Sequence, residues 1–474
     1  MSSRRILQIS RFDQILNDFR DRVVLLEFAV GSKVPSERHL AEEYNCSQAT
    51  MNKVISTLIS ENLLERTERR GAFVKRPKES EIKFMGWMAS EKSGVEVWGH
   101  LLDDFQKTQN NLKIDAQTLH YSEIQEELTL AAGRGEAPDL AQVSRNWTGH
   151  LASLGLLEPL EDKLSQSIVQ DHLTWAEDKK HSKEELYSID FSLVPMLLYV
   201  NCDILEQCGL SSDVEPQNLA EFIQLIEVIN KAACKNDQGQ DCHGFLAPKL
   251  SDEVTGQWFL PWLYAAGGNF FNARGEIAIG AQEARETLIS YKKCLKNSPD
   301  KLSIWDVRQL FEQGRSAFII DGPRGEDFFK NSKMKIKVIS LPKDVQGKSS
   351  SLNANHALSL FAQSENQLMG SKLIDTILND SHLAELNYRE QGYLPPRRSL
   401  LENELYQEPF AQLVLQEALE GRRSSSYLPC YQLAIGLLGH AISRALNGQA
   451  KLENVLEETA ANIEYIMNHT KGSI

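Results

Sequence analysis

The sequence predicts an α/β chain in two parts, a winged helix-turn-helix at the N-terminus and a much larger α/β body behind it. Three observations predict this. Apolar residues recur at helical spacing over residues 12–59 and give way to a short basic hairpin. Helical and strand-like segments alternate from residue 82 onward. Charge is also unevenly divided. Residues 1–78 hold 14 Lys and Arg against 10 Asp and Glu, or +4, while the remainder carries −18 of a net −14. At 474 residues the chain exceeds one ordinary core.

Phe12, Ile15, Leu16, Phe19, Val23 and Leu26 give the first helix one apolar face, and Gly31 breaks it. Pro35-Ser36 opens a second helix with Ser36 as N-cap and Leu40, Ala41 and Tyr44 inward. Asn45-Cys46 makes the turn, and Ser47 caps a third helix buried through Met51, Val54, Ile55, Leu58 and Ile59. Gln48, Asn52, Lys53 and Ser56 occupy the opposite face. Short amide, hydroxyl and ammonium groups suit base edges in a major groove, although any solvated helix face carries them too. Residues 63–67 and 72–75 then flank Glu68-Arg69-Arg70-Gly71, a hairpin with glycine where positive φ is expected and arginines at its tip. Such a tip can lie along phosphates or enter a minor groove.

GSKVPSERHLAEEY followed by CSQATMNKVISTLISENLLERTERRGAFV resembles the GntR-family DNA-binding domain over residues 9–75. That family's pattern runs G-x-x-L-P-S-E-R-x-L-A, V-S-R-x-T-V, and a wing ending G-x-F-V. The resemblance implies DNA contacts for Arg38, Ser47, Thr50 and Gly71, joined by Gln48, Asn52, Lys53, Arg69 and Arg70 from their places on helix and hairpin. Where the family carries two arginines this chain has Gln48 and Asn52. Amides that prefer adenine replace readers of guanine, so an altered target sequence is expected.

Residues 76–81 read as a polar linker and 82–87 as a strand, which puts the parts at 1–77 and 82–474. Six segments, in order, are similar to the family 1 extracellular solute-binding proteins, the group that contains maltose-binding protein. They are LTLAAGRGEAPDLAQVSRNWTGHLASLGLLEPLEDKL, YSIDFSLVPMLLYVNCDILEQCGL, WFLPWLYAAGGNFFN, FEQGRSAFIIDGPRGED, QGYLPPRRS and NGQAKLENVLEETAANI. The resemblance implies a two-lobed α/β body of the periplasmic-binding-protein type II kind, with a ligand in its cleft. Sugars offer apolar faces to aromatics and hydroxyl edges to Asp, Asn and Arg. Trp98, Trp147, Trp258 and Tyr393 are therefore candidates for stacking, and Asp190, Asp321 and Arg324 for polar contacts. Trp147 is favoured because the polar Ser144-Arg145-Asn146 precedes it.

The opening MSSRRILQISRFDQ lacks the apolar run of an export signal, and no 18-residue apolar stretch occurs. Seven scattered cysteines without C-x-x-C spacing are expected as reduced thiols, with no metal site. No S-x-x-K lysine setting, G-x-S-x-G, H-E-x-x-H or P-loop pattern appears, so neither catalysis nor a cofactor is expected. The expectation is a cytoplasmic regulator whose partners are a double-stranded DNA operator and a small effector, a carbohydrate, and which dimerises on DNA. The competing reading is a carbohydrate-binding transport protein with an N-terminal extension.

Overall fold

The computed structural model describes residues 11–24, 27–60, 63–67, 70–75, 80–87, 94–108, 112–176, 178, 185–272 and 274–470. Leu26, Glu68, Arg69 and linker residues 76–79 lie outside the described residues.

The head is three helices, Arg11–Val24, Glu37–Glu43 and Gln48–Ser60, and a two-stranded wing, β1 Leu64–Thr67 and β2 Gly71–Val74. Local chemistry sets its boundaries. Ser36 caps the second helix by accepting from the His39 amide at 3.2 Å. Ser47 caps the third by accepting from the Thr50 amide at 3.0 Å. The expected inward faces meet in one core of Ile15, Leu16, Phe19, Leu40, Met51, Val54, Ile55, Leu58, Leu64 and Val74. The wing pairs antiparallel from Leu64↔Val74 to Thr67↔Gly71. Residues 31–34 add a third edge through Gly31 N to Val74 O and Val34 N to Ala72 O. Gly71 has φ +103°, a conformation closed to side chains, so glycine is required where the wing turns back.

The body holds two sheets. The first lobe has a five-stranded sheet ordered β4-β3-β5-β12-β6, made of β3 Ser80–Gly86, β4 Leu112–Thr118, β5 Leu140–Ser144, β6 Ile189–Ser192 and β12 His356–Leu360. Strands β3, β4 and β5 run parallel, while β12 is antiparallel to both β5 and β6. The second lobe has β7 Leu197–Asn201, β8 His243–Leu246, β9 Ser316–Asp321 and β10 Ile336–Ile339 in the order β10-β7-β9-β8. Between the lobes β11 Leu352–Asn353 pairs with β13 Arg422–Arg423. The chain passes from sheet to sheet at 193–196 and again after β10, and these crossings are pinned by bridges Leu193↔Leu394 and Pro195↔Asn353.

Separate apolar clusters fill the lobes. In the second lobe, helix Glu253–Ala265 is buried from Thr255 to its end and packs on helix Tyr431–Leu446. Contact there is backbone to backbone. A Cβ on Gly439 would fall 1.8 Å from Asp252 O, and one on Gly256 would fall 2.4 Å from Ile435 O. Among the described residues no helix is long and apolar enough to cross a membrane.

Candidate functional site

At the C-terminal end of β5 the chain makes a short turn, Arg145–Trp147, in which Asn146 and Trp147 are buried and Trp147 joins the first-lobe apolar cluster. The Trp147 ring lies 5.2 Å from Tyr121 and 5.9 Å from Trp87. Trp87 stands 5.1 Å from His356, and His356 stands 5.1 Å from Tyr393. This row of rings forms the first-lobe wall. The opposing wall is helix Glu253–Ala265, started by an Asp252 cap on the Thr255 amide, with Glu253 and Gln257 one turn apart. Helix Tyr431–Leu446 abuts the Arg145–Trp147 turn.

Buried side-chain atoms here without a hydrogen-bond partner among the described residues include Asn146 Oδ1, Gln257 Nε2 and His356 Nδ1, while the Trp147 indole N–H faces the Glu253 carboxyl. Buried polar groups in folded proteins are nearly always paired, so groups left open in this way mark a place for a polar ligand. Burial pushes the Glu253 carboxyl up to about 7, and the Trp147 indole, placed to donate to it, offsets part of that rise. Burial pushes His356 down to about 4 against the pull of Asp190, so its ring is neutral at pH 7. Protonatable carboxyl, neutral imidazole, amides and indoles suit a hydroxyl-rich, uncharged ligand.

A cavity of about 1050 Å³ opens beside this wall, lined by Trp305, Arg308, Arg324, Phe328 and Tyr393. Another, of about 770 Å³, is lined by Arg145, Thr148, Asp178, Phe271, Arg423 and Tyr427. Tyr393 joins the row of rings to the larger cavity, and Arg145 joins the Asn146–Trp147 turn to the smaller. Trp305 is 52% exposed, its ring 6.3 Å from His120 of the first lobe and covered by the Arg308 guanidinium at 4.8 Å. Sequence reading missed this residue. The signal was available, since Ile304, Val307 and Phe311 form the apolar stripe of helix Ile304–Glu312 and Trp305 falls off it.

The structure separates the other candidates. Trp147 and Tyr393 stand in the row of rings, and Arg324 lines the larger cavity, held by Glu312 at 3.1 Å and lying over Phe328. Trp98 is corrected to a core side chain, stacked on Phe84 at 5.6 Å with no exposure. Trp258 is likewise packed inside the second lobe, its Nε1 donating to Ile320 O at 2.6 Å. Asp321 takes a bidentate grip from Arg308, both bonds 2.7 Å, and accepts from the Gly322 amide. Asp190, expected to accept from a ligand hydroxyl, lies buried inside β6 and accepts instead from Arg145, Thr174 and Asn355, each at 2.9 Å. These two carboxylates are committed to protein partners.

In the head, Arg38, Gln48 and Lys53 are exposed, as is Arg70 beside the wing glycine. Arg38 makes only an exposed ion pair with Glu42, and Lys53 lies 4.5 Å over the Phe12 ring. The hydroxyls of Ser47 and Thr50 meet at 2.7 Å. Asn52 differs from the expectation of an open face: its amide donates to Glu37, which also holds Arg66. Reading a base with Asn52 requires that bond to break.

The comparisons divide the chain in the same way. Residues 12–74 match the family of bacterial regulatory proteins called gntR, and residues 100–411 match the bacterial extracellular solute-binding proteins. The maltotriose-binding protein of Pyrococcus abyssi is 21% identical over 270 residues, 55% of this chain and 53% of that protein. The HTH-type transcriptional repressor NagR of Bacillus subtilis is 26% identical over 132 residues, 28% of this chain and 49% of its own length. The match thus spans about half the length of each of these relatives. A solute-binding protein of Thermotoga lettingae, solved with α-D-tagatose, superposes at TM-score 0.69 and 20% identity over 82% of this chain and all of that one. That likeness shows the two-lobed fold.

Proposed function

We propose that this chain, which belongs to the bacterial extracellular solute-binding protein family and carries a gntR-type winged helix at its N-terminus, is a transcription regulator whose grip on DNA is set by a carbohydrate bound between its lobes. The observation that carries the ligand half is the unpartnered Asn146 Oδ1, Gln257 Nε2 and His356 Nδ1 among aromatic rings. Sugar hydroxyls complete such groups while sugar faces stack on the indoles. The names of the relatives, a maltotriose binder and a repressor, support the same pairing of roles. We divide the chain at 1–77 and 82–474 and place it in the cytoplasm, where operator DNA is. It acts there without catalysis, as a homodimer on paired half-sites.

In the head, Arg38, Ser47, Gln48, Thr50, Lys53, Arg69, Arg70 and Gly71 are proposed at the DNA surface. Arg70→Ala is expected to weaken binding to all sequences about equally and to lower the salt slope by about one unit, as loss of a phosphate contact does. A mobility-shift titration at several salt concentrations measures both. Unchanged affinity and slope would take Arg70 off the surface.

Closure of the cleft reorients the lobes and, in a dimer, the spacing of two recognition helices. Ligand and operator affinities are then coupled reciprocally, typically by about 5- to 150-fold. A thermal-shift screen against a sugar library identifies a ligand first, and its dissociation constant is then measured with and without operator. Equal constants would overturn the regulatory reading while leaving carbohydrate binding intact.

A further inference from the structure

We propose that Cys208 and Cys234 form an oxidative modification site, a dithiol that a hydroperoxide converts to a disulfide beside the larger cavity. The two sulfur atoms lie 2.7 Å apart, whereas all seven cysteines are present as free thiols. A disulfide bond is about 2.05 Å long, so joining these sulfurs needs a movement well under 1 Å. Both residues sit where helices stop. Cys208 caps the end of helix Cys202–Gln207, and Cys234 follows Ala233, the left-handed residue that ends helix Leu219–Ala232. These ends hold the sulfur pair on fixed backbone, and both thiols are partly exposed.

The neighbouring thiol is held out of the pair. The buried Cys242 donates its backbone N–H to Cys234 O at 2.9 Å, while its sulfur turns toward Gly314 O at 3.4 Å. The pair also adjoins the cavity wall, since Ile204 and Gln207 precede Cys208 and Asn236 follows Cys234, and all three line that space. A bond between 208 and 234 would fasten two parts of one wall.

The reaction balances without a metal. The Cys234 thiolate attacks one peroxide oxygen, breaks the O–O bond and becomes a sulfenic acid, and the leaving hydroxide takes up a proton as water. The Cys208 thiol then attacks the sulfenic sulfur, and its proton leaves with the displaced hydroxyl as a second water. Overall two thiols are oxidised to a disulfide and one hydrogen peroxide is reduced to two waters.

The test exposes the full-length chain to hydrogen peroxide, denatures it and titrates the remaining thiols. The expected count falls from seven to five, peptide mapping finds 208 linked to 234, and dithiothreitol restores seven. Cys234→Ser is expected to keep all six of its thiols under the same exposure, whereas Cys208→Ser is expected to lose one, the Cys234 thiol left as a sulfenic acid that dithiothreitol reduces. Seven thiols surviving in the unmodified chain, a link between other cysteines or between two chains, loss that dithiothreitol does not reverse, or equal loss in both variants would overturn the proposal.

Discussion

Asp190→Ala is expected to lower the unfolding free energy of the body by about 3–5 kcal/mol at pH 7, the usual cost of removing one partner from a buried ion pair. The carboxylate is 2% exposed, Thr174 and Asn355 are buried with it, and Arg145 is half-buried. Arg145 would keep only Asp178, at 2.6 Å, and Thr174 and Asn355 would lose an acceptor each. Burial pushes the Asp190 carboxyl up, but Arg145, His172, Asn355 and Thr174 together pull it below the usual carboxylate range. A depressed folded-state value means that the stabilisation is present above the unfolded value, about 3.9, and is lost as pH falls through the folded one. The difference between variant and parent should therefore hold from pH 5 to 8 and shrink below pH 4. Denaturant unfolding across that range checks it, and a loss under about 1 kcal/mol at pH 7 would mean that the network is not what holds β6 in place.

Glu253→Gln is expected to act in the opposite direction. A carboxyl raised to about 7 in the folded chain keeps its proton where the unfolded chain has already released one. Stability from this group is complete below the unfolded value of about 4.3 and declines as pH rises to about 7. The whole penalty at pH 8 is on the order of 4 kcal/mol, since each unit of displacement is about 1.4 kcal/mol. Glutamine keeps the shape and removes the titration. The variant should accordingly match the parent near pH 4 and exceed it by about 4 kcal/mol at pH 8. Parallel stability curves for the two proteins would show that the carboxyl is solvated after all.

What could be read from the sequence was local. The caps at Ser36 and Ser47 act within three residues, and the glycine of the wing answers to its own φ, so the head was legible nearly residue by residue. Asn52 was not, because its partner Glu37 lies fifteen residues away on another helix. In the body, order of motifs sufficed for two lobes. It could not tell tryptophans apart, since Trp98 and Trp258 have the same chemistry as Trp147 and differ only in what folds over them. The one useful mark was polar sequence just before Trp147, where Asn146 now stands with its oxygen open. Asp190 looked free to meet a ligand because the arginine that claims it is 45 positions distant.

The place of β12 in the first-lobe sheet has a consequence for synthesis. Residues 356–360 lie between β5 and β6, which are complete by residue 192. A ribosome adding about 5–20 residues each second needs roughly 8–34 s to make the stretch between. Throughout that interval β5 and β6 have no strand to share, and their unpaired edges are open to wrong partners. The head, whose strands are only four residues long and adjacent in sequence, completes itself long before. Each new molecule therefore passes through a stage in which the winged helix is finished and the lobe behind it is still waiting for the strand that joins β5 to β6.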